Sequence, residues 1–141
     1  MSEGFWFVEH TADAKFHAVG KTLDEAFANA ALALFETMVD TSLIQPSASV
    51  HLELEAEDVD ELLYDFLCEL LFVFDADGMV FSKFDVSIWH DVGWKLSCEC
   101  AGEHFEPLRH APRTEVKAIT LHELSVKSTN GGRELTVVLD I

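Results

Sequence analysis

Basic residues are scarce in this sequence. Its 141 residues include nine Lys and Arg against 26 Asp and Glu, which gives a formal net charge of −17. Proteins that bind nucleic acids neutralise phosphates with clustered Lys and Arg, whereas the few basic residues here are scattered along the chain. The composition therefore argues against direct nucleic-acid binding and favours basic partners or cations.

Cysteines and long apolar runs are also few. The three cysteines are Cys68, Cys98 and Cys100, and the N-terminal stretch "MSEGFWFVEH" contains neither a basic segment nor a long apolar one. An odd number of cysteines without a targeting segment predicts reduced thiols in a cytosolic protein. Because no apolar run approaches about 18 residues, we expect no membrane span.

Local signatures of catalysis are missing as well. The sequence contains no G-x-S-x-G, no H-E-x-x-H and no glycine-rich phosphate loop, so it does not point to an enzyme. Cys98 and Cys100 would share one face of a strand, but a zinc site would need two more ligands, such as His104 and His110, and a different spacing. "DADG" matches only a fragment of a calcium loop, and a helix end with Gly78 just beyond it explains the motif better.

The composition is that of a globular protein. Hydrophobic residues make up 49% and charged residues 25% of the chain. A chain of this size buries about 70% of the surface that its unfolded form exposes, so it folds without disulfides. We predict one domain over residues 1–141.

Two amphipathic helices are predicted in the first half. Thr22 with Glu25, and Asp58 with Glu61, have the spacing of capping boxes. Each is followed by apolar residues at helical spacing, which form a single stripe: Ala26, Phe27, Ala30, Ala31, Leu34, Phe35 and Met38 in the first helix, and Leu62, Leu63, Phe66, Leu67, Leu70, Leu71 and Phe74 in the second. Such stripes predict two helices that cover one sheet.

Strands account for most of the remaining sequence. "FWFVEH" and "AKFHAVG" flank a turn "TADA", and "VHLELEAE" alternates apolar and polar residues. The second half offers the further strand candidates "MVFSKF", "DVSIWHD", "WKLSCECAG", "EVKAITLHELSVKS" and "RELTVVLDI", with the hairpin signal "TNGG" before the last. The order ββαβα plus strands predicts an α+β, two-layer sandwich with a mostly antiparallel sheet covered by the two helices.

The chain end "LTVVLDI" places acidic groups after a buried strand. Asp140 adjoins Ile141, which carries the C-terminal carboxylate. Hard cations take several oxygen ligands, so a third donor would have to come from elsewhere. Asp13, in the predicted turn, is a candidate, although an Asx-turn would also explain an aspartate there.

Three further residues have structural explanations that compete with functional ones. His10 is more often a packed or hydrogen-bonded histidine than a ligand. Glu69 lies on the flank of the second helix, where a solvated face explains it. Lys117, in the strand "EVKAIT", is one of few basic residues and would ordinarily face water.

Taken in order, several segments resemble the archease family. They are "HTADAKFHAVGKTLDEAFANAALALFETMVD", "LLYDFLCELLFVFDADGMVFSKF", "GEHFEPLRHAP", "TEVKAITLHELSV" and the terminal "VVLDI". They span nearly the whole chain in the family's order. Arg113 is a departure, because the family usually has glycine before "TEVKA".

The resemblance implies a function that composition does not show. Archease-like proteins are accessory factors of RtcB-type RNA ligases, which join RNA ends in tRNA splicing and repair. They are thought to promote guanylylation of the ligase histidine, to restore multiple turnover and to relax the choice of nucleotide triphosphate. We therefore expect a non-enzymatic activator whose partner is such a ligase.

The resemblance also implies a metal site formed by the "HTAD" aspartate and the terminal "DI". Here these are Asp13, Asp140 and the Ile141 carboxylate, and we expect calcium, with magnesium or manganese as alternatives. A lysine near this site could orient a carboxylate or contact a phosphate. We therefore expect Lys117 to act in partner activation, together with Glu69 and His10.

Two other function classes fit the same residues. A small metal-dependent hydrolase would use the carboxylates on a phosphate substrate, and would need a pocket of catalytic size with a base. A chaperone-like binding module would present a large exposed apolar patch. A shallow acidic surface would favour the activator.

Overall fold

The computed structural model describes residues 4–8 and 13–141. This part of the chain forms eight strands and three helices in the order β1 (Phe5–Val8), β2 (Asp13–Gly20), α1 (Leu23–Met38), β3 (Ala48–Ala56), α2 (Val59–Asp77), β4 (Met79–His90), β5 (Trp94–His104), α3 (Pro107–His110), β6 (Ala118–Ile119), β7 (Ser125–Thr129) and β8 (Gly132–Asp140), with a single 3-10 turn at Thr41–Leu43. No described helix has both the length and the apolarity needed to span a membrane.

The strands form two antiparallel sheets. The first has the order β1-β2-β8-β6, with β7 also pairing with β8, and the second has the order β3-β5-β4. The predicted α+β class and antiparallel pairing are confirmed, but the strands do not form the single sheet that the two stripes suggested. Helix α1 contacts β2, β4 and β8, and α2 contacts β3 to β7, so each helix packs against both sheets and one core serves both.

Both predicted helix starts are confirmed. The Thr22 hydroxyl accepts a hydrogen bond from the backbone N–H of Glu25 (3.2 Å), and the Asp58 carboxylate accepts one from that of Glu61 (2.8 Å). Helix α2 ends where Gly78 adopts a left-handed conformation (φ 68°), as the "DADG" motif indicated. The loop Asn130-Gly131 joins β7 to β8, which confirms the hairpin signal.

One long strand replaces two predicted ones. "MVFSKF" and "DVSIWHD" form the continuous strand β4, in which the register shifts between Phe81 and Lys83. Such an irregularity changes which residues face the core, so the strand does not show one continuous alternation of apolar and polar residues. Gly102 lies opposite, where an added Cβ would come within 1.8 Å of the Val80 carbonyl oxygen.

The segment before β8 is less regular than predicted. Instead of one strand over "EVKAITLHELSVKS", the chain forms the two-residue β6 and the separate β7, which occupy successive positions along one edge of β8. The residues between them leave the sheet, and Glu123 there has a left-handed backbone conformation (φ 58°). Helix α3 has no counterpart among the predicted elements.

Candidate metal centre

Asp13 and Asp140 are direct neighbours across two strands. The register of β2 and β8 pairs them, and cross-strand partners project from the same face of a sheet. Asp13 is the first residue of β2 rather than part of a turn, so the turn prediction for it was wrong. On the other side of β8, Ala118 pairs with Asp140, and the backbone N–H of Lys117 donates to the Asp140 carbonyl oxygen (2.7 Å).

A shallow depression of about 280 Å³ surrounds the two aspartates. Its lining residues are Asp13, Ala118, Thr120, His122, Val138 and Asp140. The Thr120 hydroxyl (2.8 Å) and backbone N–H (3.1 Å) both donate to the Val138 carbonyl oxygen and fix one wall. Oδ1 of Asp13 is shielded from solvent, whereas Asp140 is exposed. The depression therefore has an acidic floor and an acidic rim.

The donor set suits a hard divalent cation. Two carboxylates opposite each other on one face repel, and a bound cation would relieve that repulsion. Carboxylate oxygens without thiolates favour calcium, magnesium or manganese. Within residues 4–8 and 13–141, however, no three His, Cys, Asp or Glu side chains are arranged as a metal site. The described side chains supply two acidic ligands, and Ile141, 36% exposed, follows Asp140 directly.

The loop between β6 and β7 lies beside the two aspartates. The Lys15 ammonium pairs with the Glu123 carboxylate at 2.5 Å, and the imidazole of His122 lies 3.2 Å from that carboxylate. Sequence analysis missed these residues and Thr120. Lys15 and Glu123 are 108 residues apart, so no local spacing could have indicated the contact.

The remaining predicted site residues have different positions. Lys117 is exposed and directly precedes β6, so it is not a strand residue as predicted, although its backbone bond holds it beside Asp140. Glu69 is half-buried on α2. Neither side chain lines the depression. His10 lies outside the described residues.

The cysteine pair does not have the properties of a metal site. Cys98 and Cys100 are buried with their sulfur atoms 3.6 Å apart. The hydrogen bond with Cys100, together with burial, raises the pKa of the Cys98 thiol far above its usual value, so it stays protonated. His110, considered as a further zinc ligand, bonds Glu103 through Nε2 (2.8 Å) and the Glu106 N–H through Nδ1 (2.9 Å).

A second polar cluster accounts for the motif "GEHFEPLRHAP". Arg109 donates two hydrogen bonds of 2.8 Å to the Glu103 carboxylate, which also accepts from the Gln45 N–H and from His110. These hydrogen bonds lower the pKa of Glu103 to about 2, and the bond from Arg109 has the largest effect. The cluster therefore holds α3 against the end of β5.

Comparison with known proteins assigns the family. The model of the Archease protein family (MTH1598/TM1083) matches residues 5–141. A protein archease from Methanothermobacter thermautotrophicus is 44% identical over 140 residues, covering 99% of each chain, and one from Sulfurisphaera tokodaii is 42% identical over 137 residues, covering 97% of this chain and 98% of its own.

Two solved structures are also similar. The solution structure of Methanobacterium thermoautotrophicum protein 1598 has a TM-score of 0.90 at 42% identity and covers 99% of this chain and 100% of its own. A Thermotoga maritima archease described as a possible chaperone has a TM-score of 0.59 at 19% identity, over 95% of this chain and 94% of its own, and shows the shared fold. The chain therefore belongs to the archease family.

Proposed function

We propose that this protein activates an RtcB-type RNA ligase in tRNA splicing and RNA repair. It promotes guanylylation and multiple turnover of the ligase and does not itself catalyse a reaction. The observation that supports this most directly is the cross-strand pairing of Asp13 with Asp140 in a chain of the archease family. Two carboxylates facing each other at the end of a sheet form a cation site presented on the surface rather than in a deep cleft.

In this proposal Asp13, Asp140 and the Ile141 carboxylate hold a divalent cation, calcium first. When bound, the cation supplies positive charge and open coordination positions for oxygen ligands of the partner. The Lys117 N–H fixes the backbone of Asp140, while its exposed ammonium is available to orient a carboxylate or contact a phosphate. Glu69 and His10 are proposed to contribute to partner activation.

The charge of the chain fits this role. An RNA-handling enzyme is basic where it holds RNA, and a protein with a net charge of −17 is attracted to such a surface. The same charge disfavours direct binding along the phosphate backbone of an RNA. An acidic activator can therefore dock on the ligase through charge complementarity and leave recognition of the RNA to the ligase.

The proposal is tested by multiple-turnover RNA ligation with the cognate ligase, with and without this protein. We expect stimulation by the original chain and its loss in Asp13→Asn and Asp140→Asn. Glu57→Gln, which removes one charge from an exposed position away from the depression, is the matched control and should stimulate fully. GTP hydrolysis by the purified protein alone, lost in Asp13→Asn, would support the small metal-dependent hydrolase instead.

Extension of the chain beyond Ile141 tests the third ligand. Added residues convert the terminal carboxylate into a neutral amide carbonyl and remove one negative charge beside Asp140. Because fewer charged ligands bind a hard cation more weakly, calcium affinity and ligase activation should fall together. Calorimetric titration with calcium and magnesium measures the first and ligation the second. An extended chain that binds calcium and activates like the original would exclude Ile141 as a ligand.

A further inference from the structure

A second cavity lies apart from the two aspartates, where α1 and α2 end. It has a volume of about 260 Å³. Met38 and Val39 form a buried floor, and the rings of Phe74 and Phe105 form half-buried walls, in edge-to-face contact with centroids 5.7 Å apart. Sites for drug-sized ligands are larger, roughly 300–1,000 Å³. This cavity therefore matches a single large apolar side chain.

The cavity is preformed. Along one side, the backbone N–H groups of Arg113 and Thr114 donate to the carbonyl oxygens of Met38 (2.8 Å) and Thr37 (3.1 Å) at the end of α1. On the other side, Phe105 lies two residues before α3, which the hydrogen bonds to Glu103 anchor. Since both sides are held in place, a ligand would pay little to order them.

Acidic groups outnumber basic ones at and beside the rim of the cavity. The guanidinium of Arg113 pairs with Glu36 at 3.1 Å and with Asp40 at 3.8 Å, so two carboxylates already offset it. Glu115 lines the exposed edge as well. Arg113 and Glu115 are the charged residues that line the cavity; together with Glu36 and Asp40, which pair with Arg113 beside it, they give this region a net charge of −2. A ligand that places an apolar group in the cavity would therefore gain from positive charge on either side of that group.

We propose that this cavity is a docking site for one apolar side chain, of leucine or phenylalanine size, on a basic segment of a partner protein. The buried floor and aromatic walls provide the apolar contact, and the rim selects for flanking Lys or Arg. The same charges disfavour a second copy of this chain. Leu108 of another copy is fully exposed, but each copy has a charge of −17 and an equally acidic rim.

Methionine-methyl NMR of the full-length protein tests this directly. The chain has three methionines, of which Met38 lies on the cavity floor and Met79 lies in the core as an internal reference. The probe is the capped peptide Lys-Lys-Leu-Lys-Lys. We expect it to shift the Met38 resonance saturably and to leave Met79 unchanged. Glu-Glu-Leu-Glu-Glu and Lys-Lys-Ser-Lys-Lys, lacking the charge or the apolar group, should shift neither.

Matched variants locate the binding. Thr114→Trp places an indole at the cavity mouth and should abolish the Met38 shift, whereas Thr129→Trp, the same change at an exposed threonine of the β7–β8 hairpin, should not. An unchanged Met79 resonance verifies the fold of each. Glu115→Lys should weaken peptide binding by up to about fivefold, the range of an exposed ion pair.

Four results would overturn the proposal. Three of them concern the peptides: no Met38 shift at millimolar basic peptide, an equal shift with the acidic peptide, or a shift that Thr114→Trp leaves intact. A Met38 shift that depends on protein concentration alone would identify a second copy as the occupant, and would also refute a basic partner. None of these measurements involves the ligase, so a negative result here would refute the docking site without refuting the proposed ligase activation, and the reverse also holds.

Discussion

Asp140→Asn should make the metal-free protein more stable and at the same time remove its response to calcium. The substitution keeps the size of the side chain, and β8 retains its backbone pairing with β2 and β6. It removes one of two negative charges that face each other across the strands. Opposite effects in the two conditions would distinguish a ligand from a residue that only supports the fold.

The magnitudes follow from the pairing. Favourable cross-strand pairs contribute about 0.2–1 kcal/mol, and we take the cost of a like-charge pair to be of the same order, so the variant should gain that much in chelator at low salt. For a chain of this length that corresponds to a rise in Tm of about 1–4 °C. For the original chain, calcium at 100 times its Kd adds about 2.7 kcal/mol, a rise of about 10 °C.

The assay is thermal unfolding of the original chain, Asp140→Asn and the control Glu57→Gln, each in chelator and in calcium. The control removes the same charge from an exposed position and should keep the full calcium response. An Asp140→Asn protein that is less stable than the original in chelator would show that the aspartates do not repel. A calcium response of undiminished size would show that Asp140 is not a ligand.

Four further variants have expected outcomes. Lys117→Ala should fold normally because its side chain is exposed, and Glu69→Gln should fold normally because it keeps the size of a half-buried side chain. Both variants should lose ligase activation, and full activity in either would show that the residue does not act in activation. The ion-paired Glu103 has a pKa of about 2 in the folded protein, against about 4.3 when the chain is unfolded. Its contribution to stability is therefore complete above about pH 4.5 and is lost as the pH falls through 2. The free energy of unfolding measured in urea should differ between Glu103→Gln and the original chain at neutral pH, and the two values should converge in acid. Gly102→Ala, which brings a Cβ within 1.8 Å of the Val80 carbonyl oxygen, should cost about 3 kcal/mol or more in unfolding experiments, and a Tm equal to the original would contradict the packing there.

Features that depend on neighbours in sequence were predicted correctly. Thr22 and Asp58 begin helices because each bonds an N–H three residues ahead, within one helical turn. Gly78 ends α2 because it adopts a backbone conformation that other residues avoid. The apolar stripes identified which helix faces are buried, since burial follows the helical period.

Features that depend on distant partners were not predictable in this way. The sequence does not specify that the strands divide into two sheets, because the stripes identify buried faces but not which strands pair. The irregularity after Phe81 and the shortness of β6 also depend on neighbouring strands. Helix α3 forms where the Glu103 carboxylate accepts hydrogen bonds from Arg109 and His110. Its four residues are too few to show the helical period of apolar residues.

The same distinction between local and distant determinants applies to the candidate metal centre. The sequence alone determined that acidic groups lie near both ends of the chain, that the protein is strongly acidic, and through its resemblance, which family it belongs to. Only the tertiary structure decided that Asp13 faces Asp140, that Lys117 bonds its backbone, and that Lys15 and Glu123 close the loop beside it. The physical reason is that β-sheet register is set by packing between strands that are far apart in sequence, and no local spacing encodes it.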